Sequence, residues 1–229
     1  MPKPEHARLP LWKDKPQDDQ SENLKRMMMD LYTYVLNEPM TRISTILDEH
    51  VPGDQKEADD IQHIRELMEE NANLLNMNCE NGHFTGSALV VDLKEGKFLL
   101  HLHKKLNRWF QFGGHPDFET DLLQVALREA IEETGLTDLY YFPTSHQVRP
   151  LDIDVHVIPE RKGQPEHPHL DFRYVLVTNK PDQLFVERED ESENFKWFSF
   201  AEVEEVDGLV DSALYRFILK AKQLVEAER

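Results

Sequence analysis

Apolar residues recur at helical spacing through the first third of the chain and at every second position through much of the remainder. In "ENLKRMMMDLYTYVLN", Leu24, Met28, Leu31, Tyr32 and Val35 share one side of a helix, and Pro39 follows. Ile43, Ile46 and Leu47 mark a shorter helix before the Pro52-Gly53 break; Ile61, Ile64, Leu67, Met68 and Leu75 form the stripe of a third. The methionines suit helix packing rather than ligation. From "HFTGSALVVD" the period becomes that of strands: Ala88–Val91, then "KFLLHLH" after a Glu95-Gly96 turn. A Gly113-Gly114 turn and a helix come next. "LYYFPTS", "LDIDVHVIP", "HPHLDFRYVLVT" and "ENFKWFSF" read as strands, "FAEVEEV" as a short helix after Ser199, and "DSALYRFILKAKQLVEAE" as a terminal helix.

This interleaving predicts an α/β domain over residues 83–229, with a mixed sheet flanked by helices. A helical segment over 21–80 precedes it, and residues 1–20, rich in proline and charge, read as a flexible arm. Strict strand–helix alternation and a G-x-G-x-x-G are both missing, so a dinucleotide-binding sheet does not fit.

One stretch, "GGHPDFETDLLQVALREAIEETGL", carries the chemistry. Asp121 with Gln124 resembles a capping box, and Gly135 stands where a left-handed helix end is wanted. Leu123, Ala126, Leu127 and Ala130 form the expected buried stripe. Glu129, Glu132 and Glu133 fall beside it, three and four residues apart, where carboxylates repel. Hard dications such as Mg²⁺ or Mn²⁺, which prefer carboxylate and phosphate oxygens, would relieve that repulsion. An ordinary acidic solvated face is the plain alternative, but an arginine and a Gly-Gly pair at fixed distance argue against it.

The run resembles the Nudix box, G-x5-E-x7-R-E-U-x-E-E-x-G-U, U being a bulky apolar residue. With Gly114 as its first glycine, Arg128, Glu129, Glu132, Glu133, Gly135 and Leu136 fall on the motif. The similarity extends from Phe84 to about Val206 and implies a Nudix-type α/β/α sandwich. It also implies attack by a metal-polarised water on a diphosphate in a nucleoside diphosphate derivative or related organic pyrophosphate. Glu129, Glu132 and Glu133 are the implied metal ligands, with the Gly113 carbonyl a fourth. Arg128, Glu129 and Glu132 are the implied catalytic residues. The general base is one of these glutamates or a downstream acid such as Glu193. Two positions depart from the family: Thr120 stands at the first glutamate, with Glu119 displaced by one, and Ala130 is small for its apolar slot. The first glutamate usually supports the box arginine, so Glu119 is expected to reach Arg128 instead.

A second polar array lies downstream. Asp152, Asp154 and His156 alternate with apolar residues, as do His167, His169, Asp171 and Arg173. These faces are either solvent-exposed or line a cleft with His115 and Asp117. His115, His156, His169, Arg173 and Arg108 are the expected substrate contacts. His101 and His103 belong to the cleft or its rim, and Lys104 and Lys105 are further phosphate candidates.

A net charge of −18 argues against nucleic-acid backbones and anionic membranes as partners. Cys79, the only cysteine, allows no intrachain disulfide, and no signal peptide or spanning run is present, so a cytoplasmic location is expected. A pyrophosphohydrolase is therefore expected. The alternative is a nucleotide-derivative sensor that no longer turns over, as Thr120 would allow. An isoprenoid-diphosphate isomerase lacks its cysteine, since Cys79 precedes the first strand. The residues before the domain suit a homodimer contact, a lid or a brace.

Overall fold

The computed structural model describes residues 38–71, 73–103, 107–117, 119–142, 149–160, 165–184 and 192–227. The arm to Gln20, the helix expected after Ser21, and Lys104 with Lys105 lie outside the described residues, as do the last residues of the "LYYFPTS" strand. The chain divides into compact units at Met1–Thr41 and Arg42–Arg229. All elements below belong to the second unit, so the helices after residue 42 are part of the same body as the sheet.

Helix α1 covers 42–49 of this unit and buries Ile43 and Leu47. After the Pro52-Gly53 break, Asp54 caps α2 (Gln55–Glu70) by accepting from the Glu57 amide. Ile61, Ile64 and Leu67 are buried as expected, joined by Glu57. The helix stops at Glu70, so it is Leu74 and not Leu75 that enters the core behind it.

Among the described residues eight strands form one mixed sheet: β1 (His83–Asp92), β2 (Lys97–His103), β3 (Arg108–Phe110), β4 (Phe112–Gly114), β5 (Tyr140–Tyr141), β6 (Asp152–Ile158), β7 (His167–Val177) and β8 (Ser192–Ser199). The long central β1 and β7 run parallel, with His83 opposite His169 and Ser87 opposite Arg173. The other pairings of these strands are antiparallel. The far edge of β1 is shared, by β4 along Gly86–Ala88 and by β2 along Val90–Asp92. Thus the Gly113-Gly114 pair is strand, hydrogen-bonded to β1, rather than the turn expected. A short 3-10 helix, Phe200–Val206, kinks at Glu202 and leads towards α4 (Ser212–Ala227).

Alternation along β1 and β7 assigns the two faces. Phe84, Leu170 and Phe172 belong to the face that packs against α3 (Leu122–Thr134). The buried stripe of α3 is Leu122, Val125, Ala126, Ala130 and Thr134, rotated from the one expected; Leu123 and Leu127 are only half-buried. Leu89, Val91, Val175 and Val177 belong to the opposite face and meet Leu214, Phe217, Ile218 and Ala221 of α4 in the main core. Helices on both faces of a mixed sheet make the expected sandwich, with α2 and α4 both packed on β6.

Candidate active site

Asp121 caps α3 by accepting from the Leu123 amide, and Gly135, with φ 69°, closes it in the left-handed region. Between these ends Arg128 gathers the local acids. Its Nη1 donates to Glu129 at 2.7 Å and lies 3.8 Å from Glu132; its Nη2 donates to the His115 carbonyl at 2.8 Å and lies 3.6 Å from Asp117. Its Nε donates to Glu119 at 3.3 Å, the contact expected in place of the missing first glutamate. Glu129 lies directly over β4: a Cβ on Gly114 would come within 2.4 Å of its carboxylate oxygen, so any larger residue there would push the carboxylate aside. Burial raises the pKa of Glu129; Arg128 opposes the shift, while Glu132 and Asp117 reinforce it.

The donor set therefore fits a hard dication. Three α3 glutamates of one turn supply oxygens, and Arg128 bonds or approaches four carboxylates in this cluster. Glu129 and Glu133 are half-buried and Glu132 is exposed. Gly113 pairs with Ser87 beside them. Glu193 lies on β8, but its side chain is outside the described residues.

The alternating array of β6 and β7 belongs to the opposite face, where β1 adds His83, Thr85 and Ser87 in register. It divides into two ends. At one end Arg173, 2% exposed, donates to Asp171 at 2.9 Å, Asp154 at 2.8 Å and Asp152 at 3.4 Å. Thr85 and Ser87 donate to Asp171; Arg216 of α4 donates twice to Asp152; Lys56 of α2 donates to Asp154. Buried Glu57 completes the network, accepting from Lys220, the Gly53 and Ile153 amides and His50. Burial opposes its charge, but these partners bring its pKa down to about 2. Burial likewise opposes the charge on Asp154, and Arg173, His156 and Lys56 overcome it, holding the pKa far below the usual carboxylate range.

This corrects two expectations. These strand faces neither meet solvent nor line a cleft at this end, because α2 and α4 cover them and supply charges. Arg173 is not disposed to contact a substrate: its guanidinium is enclosed by three aspartates.

At the other end five imidazoles crowd together. The His83 ring lies 5.0 Å from His115, 4.9 Å from His167 and 4.7 Å from His169, and His156 lies 5.5 Å from His169, centroid to centroid. His156 Nδ1 pairs with Asp154 at 3.0 Å, and His167 Nδ1 donates to the Pro165 carbonyl at 2.7 Å. His83 is 0% exposed, and neither ring nitrogen has a hydrogen-bond partner among the described residues. Burial, then His115 and His167, lower its pKa to about 4; the Cys79 backbone works weakly the other way. Burial and the four neighbouring rings bring His169 to about 2. Burial lowers His115 as well, against Asp117.

The structure thus brings together Arg128, Glu129 and Glu132 in one cluster and His115, His156 and His169 in another, with His115 in both through its carbonyl and its ring. Arg108 stands apart, exposed on β3. His101 and His103 lie among Phe110, Phe112 and Phe195 instead of with the other histidines. His83 escaped the sequence reading. Its signal was the alternation His83, Thr85, Ser87 at the start of a strand recognised only from Ala88.

A family model described as the NUDIX domain matches residues 82–219, more than half of the chain. The probable DHNTP pyrophosphohydrolase of Lactococcus lactis subsp. cremoris (strain MG1363) is 29% identical over 119 residues, covering 48% of this chain and 68% of that protein. Among solved structures, a NUDIX-family hydrolase from Clostridium perfringens aligns with 24% identity and a TM-score of 0.49, over 64% of this chain and 98% of that one. A C. elegans Ap4A hydrolase complex aligns with 19% identity and a TM-score of 0.48, over 63% and 98% respectively. Among the described residues no helix is long and apolar enough to cross a membrane.

Proposed function

The chain belongs to the NUDIX family, and from that premise we propose that it hydrolyses a diphosphate bond in a nucleoside diphosphate derivative or related organic pyrophosphate, using Mg²⁺ or Mn²⁺. The observation that carries this reading is the carboxylate cluster of α3 laid against the glycine strand, with Arg128 as its organising cation. Glu129, Glu132 and Glu133 would hold the metal, with the Gly113 carbonyl beside them. A bound dication supplies neutralisation of phosphoryl charge and a more acidic attacking water. The chain's own residues do the rest. Arg128 fixes Glu129 and, through the His115 carbonyl, the backbone after β4. Glu132, the most exposed of the three glutamates, is the one proposed to accept the proton of the attacking water. Arg108, exposed on β3, remains the proposed phosphate contact, and the His115, His156 and His169 edge the proposed substrate side; Arg173 is dropped from it.

Thr120 would favour the sensor reading, but the Glu119–Arg128 contact supports retention of the arginine's geometry. The test is incubation with nucleotide sugars, dinucleotides and nucleoside triphosphates plus Mg²⁺ or Mn²⁺, scored by phosphate release after phosphatase treatment. Turnover is expected, reduced at least ~100-fold in Glu132→Gln. Tight binding of a ligand without turnover would replace the hydrolase with the sensor.

A further inference from the structure

We propose that His83, His115 and His169 form a second metal site, for a divalent transition ion with imidazole preference, Zn²⁺ foremost. The proposal goes beyond the hydrolase reading and does not depend on it, because this site would form whether or not a pyrophosphate is cleaved.

Three observations carry it. The three residues can each direct one ring nitrogen to a common region, all within 4.8 Å of one another. His83 is wholly buried, with both nitrogens lacking a partner among the described residues, a costly state for a polar group unless something occupies the space. Two neighbouring rings are already held in place: His167 donates to the Pro165 carbonyl and His156 pairs with Asp154, so each packs in a fixed orientation against the ligand rings. Imidazole nitrogens favour zinc and its transition-metal neighbours over Mg²⁺, which prefers oxygen. This chemistry separates the site from the glutamates of α3.

Zinc lies about 2.1 Å from each nitrogen, so tetrahedral ligands are roughly 3.4 Å apart. The rings must therefore draw in by about an ångström on binding. His115 and His169 are half-buried and make that adjustment by side-chain rotation. Three protein ligands leave a fourth position open to water or a phosphate oxygen. His83 and His169 face one another across the parallel β1–β7 pair, and His115 follows β4. A metal here would tie both central strands to the backbone whose carbonyl holds Arg128.

The test uses the full chain, stripped with chelator and then given one equivalent of Zn²⁺ in excess Mg²⁺, followed by dialysis. One zinc per chain should be retained, with imidazole scattering in its X-ray absorption spectrum. His115→Ala and His169→Ala should each weaken zinc at least ~100-fold, at the upper limit of what losing an outer partner costs. Glu132→Gln should leave zinc binding unchanged. Circular dichroism checks that each variant is folded, and half-buried His115 keeps the test decisive if changes at His169 disturb the sheet. Failure to retain zinc in excess Mg²⁺, an oxygen-only shell, or loss of zinc in Glu132→Gln with retention in both histidine variants would overturn the site. None of these readouts requires hydrolysis.

Discussion

The two ends of one sheet face are built from the same alternating polar residues, yet they obey opposite rules. Around Arg173 each buried charge meets a partner: three aspartates accept from it, and Arg216, Lys56, Thr85 and Ser87 serve the remaining oxygens. Around His83 the polar atoms are gathered but not matched, and its two nitrogens have no partner among the described residues. The first arrangement is finished by the protein itself. The second gathers imidazole nitrogens without matching them, the arrangement that the proposed metal ion would complete. Burial of polar groups is therefore not one signal; the state of their partners decides whether it reports architecture or a ligand.

The contrast breaks most readily at the charged end. Arg173→Met should cost about 3–5 kcal/mol in urea denaturation, because three buried aspartates lose their central cation. A cost under about 1 kcal/mol would mean that Arg216, Lys56 and the hydroxyls suffice without it. Acid should loosen the same end. Glu57 ionises more readily in the folded chain, so its contribution is complete above the usual value near 4.5 and is lost as pH falls towards about 2. Stability measured across that window should decline more steeply in wild type than in Glu57→Gln. The histidine end should respond far less in metal-free protein: His83→Leu should shift stability by less than about 1.5 kcal/mol, since at most the weak contact with the Cys79 backbone is lost. A large loss would point to a partner for the imidazole. The smallest effect belongs to Glu119→Ala, one of several acids on partly exposed Arg128, expected to cost about 1 kcal/mol or less. Manganese titration should weaken only modestly in that variant; an unchanged affinity would remove Glu119 as a support for the arginine.

Local sequence carried the strands and the α3 motif well, because their information is local. Asp121, Gly135 and the acidic triplet are all contained within one helix and its ends. What escaped depends on distance in the chain. The role of Arg173 depends on Lys56 and Arg216 from helices on either side of it, which no alternation within β7 reveals. The same alternation served Asp171 and His169, whose fates differ only through what covers each row. The stripe of α3 was misplaced by one position since Leu123 and Leu127 are as apolar as the residues that do face the sheet. Gly113-Gly114 read as a turn on composition, yet pairing with β1 makes it strand.

Lys56 on α2 and Lys220 on α4 both fall outside the stretch 82–219 that matches the family, yet they neutralise Asp154 and Asp152 inside it. Shortening the protein to that stretch would strip the lid from Asp152 and Asp154 and leave them wet and under-neutralised. Expression of the minimal catalytic piece should accordingly yield insoluble or protease-sensitive material, whereas a version begun at Arg42 and run through α4 should behave.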